Sequence, residues 1–167
     1  MFDNIWKFLF RKTQSHRGKI CLLLKELVGT KKVISERQIE TVFPHLRVEF
    51  QNYNHRRPDI FVLNEVDRNC TLVEITVCFD LYLDQAYANI INRYQPLVEC
   101  LLRNGYRANV IVICFGSLGS VHNKAWSGLR NFTNNKRLIK DTLKWCSVSN
   151  IIGANYIWRS RVREILS

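Results

Sequence analysis

The chain has 167 residues, enough for one domain with a real core, and its 47% apolar content excludes intrinsic disorder. Lys and Arg number 25 against 14 acids, a net charge of +11. That balance favours nucleic acid as the partner over an acidic lipid surface or a merely soluble basic one. Six cysteines, at 21, 70, 78, 100, 114 and 146, form no Cys-x-x-Cys pair, and several sit inside apolar runs. They read as small buried hydrophobes of a reducing compartment, with no disulfide framework or zinc site. The opening Met1-Phe2-Asp3-Asn4-Ile5-Trp6 is too mixed for a signal peptide or membrane span, so an intracellular protein is expected.

In chain order, residues 1–14 form a short amphipathic lead-in. Ile20, Leu23, Leu24 and Leu27 recur at helical spacing over 17–28, with Gly29 as a stop. A first strand is expected within 32–42. Ile60-Phe61-Val62-Leu63 reads as a buried strand, Asn64 to Asn69 as a hairpin turn, and Thr71 to Phe79 as a second strand antiparallel to it. Asp80 to Arg103 is a long helix, with apolar positions from Leu83 to Val98 and Gly105 as its stop. The continuous apolar run from Asn109 to Phe115 is expected to be a central strand. Residues from about 125 to 165 are helical and basic. The order predicts an α/β domain with one mixed sheet and helices against its faces.

Asp59 and Glu74 are the informative acids. Each lies in or beside an apolar, β-prone run, where a carboxylate facing the core needs a cation or a donor. On successive strands they can converge on one Mg²⁺ or Mn²⁺, since such ions take hard oxygen ligands. A divalent ion activates water and neutralises charge on a scissile phosphate. Arg56 and Arg57 precede Asp59 and can meet phosphate; the plainer alternative pairs Arg57 with Asp59 and leaves Glu74 in solvent.

Pro58-Asp59, a strand hairpin and then Glu74-x-Thr76 resemble the PD-(D/E)XK restriction-like nuclease superfamily. Further segments follow in order: Arg93-Tyr94-Gln95-Pro96-Leu97, Gly105-Tyr106, Gly116-Ser117-Leu118-Gly119-Ser120 and Ile157-Trp158-Arg159. Together they resemble the C-terminal endonuclease domain of R2-type non-LTR retrotransposon polyproteins, over roughly 15–160. The resemblance implies a restriction-endonuclease-like αβββαβ core over 15–124 and a basic helical extension of the same domain over 125–167. It implies an enzyme that nicks chromosomal target DNA, duplex and nuclear, so that the exposed end primes reverse transcription; RNA would be met through a parent polyprotein. Asp59 and Glu74 fall on the family's metal-binding acids, and Glu36 falls where many members carry a further acid.

This chain departs from the pattern. Thr76 replaces the superfamily's lysine, and Ile90 stands one turn before Tyr94, where a lysine is expected. Arg93 keeps a positive charge and can stabilise phosphate, although it stays protonated and cannot relay a proton. The alternative reading is therefore a catalytically inactive nucleic-acid-binding remnant. His16 lies near the family's start motif but reads as a surface histidine.

In the loop Gly116-Ser117-Leu118-Gly119-Ser120, backbone N–H groups with Ser117 and Ser120 can hold a phosphate or simply make a turn. No Gly-Lys-Ser/Thr follows, so no nucleotide cofactor is expected. Lys136, Lys140 and Lys144 share a helical face, with Arg137 beside them and Arg159 further on. These are candidate phosphate contacts, while Trp126, Trp145 and Trp158 read as core or as stacking platforms.

Overall fold

The computed structural model describes Lys32–Ile34 and residues 58–166; the side chains of 32–34, 160, 161 and 163–166 are not among those described. The lead-in, the helix expected over 17–28, His16, Glu36, Arg56 and Arg57 all lie outside the described residues. Four strands are seen: β1 (Lys32–Ile34), β2 (Ile60–Asn64), β3 (Asn69–Cys78) and β4 (Arg107–Gly116). Three helices accompany them: α1 (Leu83–Arg103), α2 (Asn123–Arg130) and α3 (Lys136–Leu166). None of the described helices is long and apolar enough to cross a membrane.

The strands form one mixed sheet in the order β1-β2-β3-β4. β1 and β3 both pair antiparallel with β2, while β4 pairs parallel with β3. The β2–β3 hairpin closes where the sequence placed it. Asn64 Nδ2 donates to Asp67 Oδ2 at 2.6 Å, and Asp67 N–H returns to Asn64 Oδ1 at 3.2 Å. Arg68 takes a positive φ of 47° to finish the turn. The parallel pairing of β3 with β4 needs a crossover, and α1 supplies it.

Strand alternation divides the core in two. Ile60, Val62, Val73, Ile75, Ile111 and Ile113 pack on one face of the sheet with Ala125 and Leu129 of α2 and Ile139, Leu143 and Cys146 of α3. Phe61, Leu63, Leu72, Val112 and Cys114 point to the other face and meet Ile90, Tyr94, Leu97 and Leu101 of α1. Each buried leucine or isoleucine here contributes roughly 1.5–3 kcal/mol relative to exposure. The C-terminal helices are thus half of the core as well as a basic surface.

Two expectations need correction. β4 is at one end of the described strand order, not central. Its run is apolar because helices cover both of its faces; two-sided burial, not a middle position, sets that pattern. The long helix does not start at Asp80: a 3-10 turn spans Asp80–Tyr82 and α1 begins at Leu83. The helical, basic region expected from about 125 is seen as two helices: the segment between Arg130 and Lys136 turns the chain, and Asn135 Oδ1 accepts the Leu138 N–H at 3.0 Å to start α3.

α1 ends as Gly105 predicted. With φ at 80°, Gly105 donates to Leu102 O at 3.0 Å, and Tyr106 donates to Leu101 O at 3.0 Å. That pair of bonds is a Schellman stop, which favours a residue without a Cβ. Pro58 is buried immediately before the acid site. Cys70, Cys100, Cys114 and Cys146 are buried and Cys78 is half-buried. Burial pushes the Cys70 and Cys114 thiols up to about 12, which keeps both in the unreactive form.

Candidate metal centre

The β2–β3 register determines where the two acids meet. Ile60 pairs with Val73. One further antiparallel step puts Asp59 directly opposite Glu74, and alternation turns both toward α1. The contacts agree. The Asp59 N–H donates to Glu74 Oε2 at 3.3 Å, and the Ile75 N–H donates to Asp59 Oδ2 at 2.8 Å. Each carboxylate therefore accepts from the backbone on or next to the other residue. β2 begins at the next residue, so the Asp59 side chain also satisfies a strand N–H beyond the ladder.

α1 closes the site from above. The Tyr94 hydroxyl donates to Glu74 Oε2 at 2.7 Å, and Tyr94 is itself 1% exposed. A buried phenol needs a partner for its hydroxyl, and Glu74 supplies it. Arg93, one residue earlier and half-exposed, brings Nη1 to 3.9 Å from Glu74 Oε1. Ile90 lies one turn before Tyr94, at 4% exposure in the α1 core. Thr76 is the next β3 residue on the Glu74 face and pairs with Cys114 of β4.

Burial, and then the negative charge of Asp59, raise Glu74 to about 7. Tyr94, Arg93 and the Asp59 N–H pull the other way without compensating. Burial and the neighbouring Glu74 charge hold the Tyr94 phenol well above its usual range. Two carboxylates that repel each other at the edge of a core form a hard-oxygen donor set with a deficit of positive charge. Mg²⁺ and Mn²⁺ suit such a set, because they commonly use one or two protein carboxylates and complete their shell with water. Among the described residues no cluster of three or more His, Cys, Asp or Glu side chains gathers.

The Gly116–Ser120 loop does hold an anion, and the anion is internal. The carboxylate of Asp80 accepts from the Leu118 N–H at 2.8 Å, Ser117 Oγ at 3.2 Å and the Ser120 N–H at 3.3 Å, and also from the Ser120 hydroxyl. Burial is the largest single influence and pushes the Asp80 carboxyl up, but the donors together outweigh it and hold the carboxyl below its usual range. Gly116 is required here, since a Cβ would run into the Asp80 carboxylate. The Ser147 hydroxyl of α3 donates to Gly119 O and ties the other side of the loop. Ser117 and Ser120 are therefore spent on Asp80.

Lys136, Arg137, Lys140, Lys144 and Arg159 are all exposed. Arg137 pairs with Asp141 at 3.8 Å within the helix. Trp126 and Trp145 pack against the core, whereas Trp158 is 69% exposed. Sequence reasoning missed three participants: the Tyr94 hydroxyl, Asp80 and His122. His122 is buried, accepts the Lys124 N–H on Nδ1 at 3.3 Å to start α2, and meets Asp84 through Nε2 at 3.0 Å. Its ring stacks on Tyr87 at 4.4 Å. Tyr94 was detectable as a phenol on an apolar helix face opposite a strand glutamate; Asp80 and His122 act across nearly forty residues and left no local signal. Comparisons with family models, curated proteins and solved structures found no match to this chain.

Proposed function

We propose that this chain is a divalent-metal-dependent DNA endonuclease domain with a restriction-endonuclease-like core. It would nick target DNA for target-primed reverse transcription as part of a non-LTR retrotransposon protein. The observation that carries this reading is the meeting of Asp59 and Glu74 across β2 and β3, with Glu74 raised to about 7. The described βββαβ order and the mixed sheet support the core that the resemblance implies.

Asp59 and Glu74 would hold Mg²⁺ or Mn²⁺, which supplies water activation and charge neutralisation at the phosphate. Tyr94 fixes the Glu74 carboxylate by its hydrogen bond. Arg93, half-exposed beside Glu74, would bind the phosphate flanking the cut through its guanidinium. Lys136, Lys140, Lys144 and Arg159 would hold the duplex backbone, with little sequence preference of their own. Arg56 and Arg57 would join them from the segment leading to Asp59.

One observation favours the second reading, a binding module that no longer cuts. Ile90 is buried and Thr76 is uncharged where the family pattern wants lysine, so among the described residues neither of those positions offers a lysine to relay a proton at Glu74. Supercoiled-plasmid nicking in Mg²⁺ or Mn²⁺ separates the two. The enzyme reading expects nicking by the wild type that Asp59→Asn and Glu74→Gln each reduce at least about 100-fold, beyond the roughly 10–100-fold that loss of a group merely orienting a metal ligand costs. Equal background nicking by all three, with DNA retained in a gel shift, would establish the binding module instead.

A further inference from the structure

A second concave site lies on the opposite face of the sheet. Strand alternation puts Thr71 of β3 and Asn109 of β4 on the face that packs against α2 and α3, while Glu74 faces α1. Thr71 and Asn109 are direct partners in the β3–β4 register, and Val62 of β2 pairs with Thr71 to complete the row. The next row holds Asn64 paired with Asn69. Deeper rows on this face, Val73 and Ile111, are core. The floor therefore changes from apolar to amide and hydroxyl where the sheet runs out from under the helices. The α2–α3 turn forms the wall with Asn131 and Phe132, and the resulting pocket has a volume of about 280 Å³.

The chemistry of the lining narrows what fits. No described lining residue carries a charge, which argues against a phosphate or an ion. Asn64 is committed to Asp67. Among the described residues no side-chain hydrogen bond involves the Asn69, Thr71, Asn109 or Asn131 side chains, so their donors and acceptors face the pocket or solvent. Amides present a donor and an acceptor in one plane, the arrangement that pairs with the edge of a base. Phe132 is half-buried against the core and offers a ring for stacking. The volume sits at the small end for ligand sites, which suits one planar heterocycle. Cations lie near the pocket but outside its lining: Arg107 pairs with Asn69 in the register, Arg130 precedes Asn131, and Lys136 opens α3; all three are exposed.

We infer that this pocket binds one unpaired nucleobase, read on its edge by Asn109, Asn69 and Asn131 and stacked on Phe132. The base is not the one being cut, because the pocket and the Asp59–Glu74 site open on opposite faces of the sheet. The inference does not rest on cleavage, and a binding module would show it equally.

The test uses the full chain and a single-stranded DNA 12-mer carrying one 2-aminopurine, against the same strand with an abasic position in its place. Adenosine alone serves as the second probe, to separate a base held in a strand from a free nucleoside. The wild type should bind the base-bearing strand about tenfold more tightly, in the range of one stacked base, and change its fluorescence on binding. Asn109→Leu and Phe132→Leu should each remove that preference and the fluorescence change while leaving the salt-dependent affinity for the abasic strand. Glu74→Gln should retain the preference, which keeps this test apart from the nuclease proposal. Binding of adenosine that saturates and is lost in Asn109→Leu would assign the site to a free nucleoside and replace the strand-held version of the inference. Equal affinity for the two strands, no binding of either, or a preference unchanged in both pocket variants would overturn the inference.

Discussion

Two carboxylate sites at one end of the same sheet are built in opposite ways. Asp80 receives the loop after β4, with two backbone N–H groups and two serine hydroxyls on its oxygens, and its carboxyl is held below the usual range. Glu74 receives a phenol, one long backbone contact and a distant guanidinium, against burial and the charge of Asp59, and rises to about 7. The first is an anion whose needs the fold meets. The second is an anion pair that the fold leaves short of positive charge. A structural tie has the first pattern, and the second is the charge deficit that the proposed cation would neutralise.

Substitution should expose that contrast in sign as well as size. The largest effect is expected at Asp80. Asp80→Ala removes the charge-assisted hydrogen bonds from Ser117, Leu118 and Ser120 and releases the loop, at about 2–3 kcal/mol. A melting temperature roughly 5–10 °C lower would register it. Next comes Glu74→Gln, with the opposite sign. At pH 8 it removes a buried charge that faces Asp59 and keeps an acceptor for Tyr94, so the metal-free protein should gain about 1–2 kcal/mol in denaturant titration. Equal destabilisation by both substitutions would break the comparison.

The pH dependences should differ likewise. The folded-state pKa of Glu74 lies above its ordinary value of 4.5. Its contribution is therefore fully present below 4.5 and is lost as pH rises through about 7, so Glu74→Gln should flatten that decline. Asp80 is shifted down from 3.8, so its contribution is present above that pH and is lost as the solution is acidified further. Smaller still is Tyr94→Phe, which removes the hydroxyl at 2.7 Å and should cost about 1 kcal/mol at pH 8. It should also raise Glu74 further, as followed by carboxyl NMR. Arg93→Gln is the smallest in stability, below about 0.5 kcal/mol for a half-exposed pair, but should lower the salt dependence of DNA binding by about one contact.

The acid pair was legible in the sequence because its geometry is local. A short polar turn between two apolar runs dictates an antiparallel hairpin, and the hairpin register alone puts Asp59 opposite Glu74. The helix and its stop at Gly105 were legible for the same reason. The place of β4 was not, since an apolar run reports how many faces are covered and says nothing of neighbours in the sheet. The loop at Ser117 and Ser120 was legible only as a phosphate cradle or a plain turn, and its donors meet the carboxylate of Asp80, far away in the chain. The pocket around Asn109 was invisible for a related reason: its amides come from three strands and a turn, each unremarkable alone.

The central claim is that Asp59 and Glu74 form the cation site and that Asp80 does not. Mn²⁺ binding followed by electron paramagnetic resonance at pH 7.5 tests it most directly. The account predicts saturable loss of the free-ion signal with wild type, abolished in both Asp59→Asn and Glu74→Gln and retained in Asp80→Asn. No saturable binding by wild type, or binding unchanged in the two acid-pair variants, would contradict it.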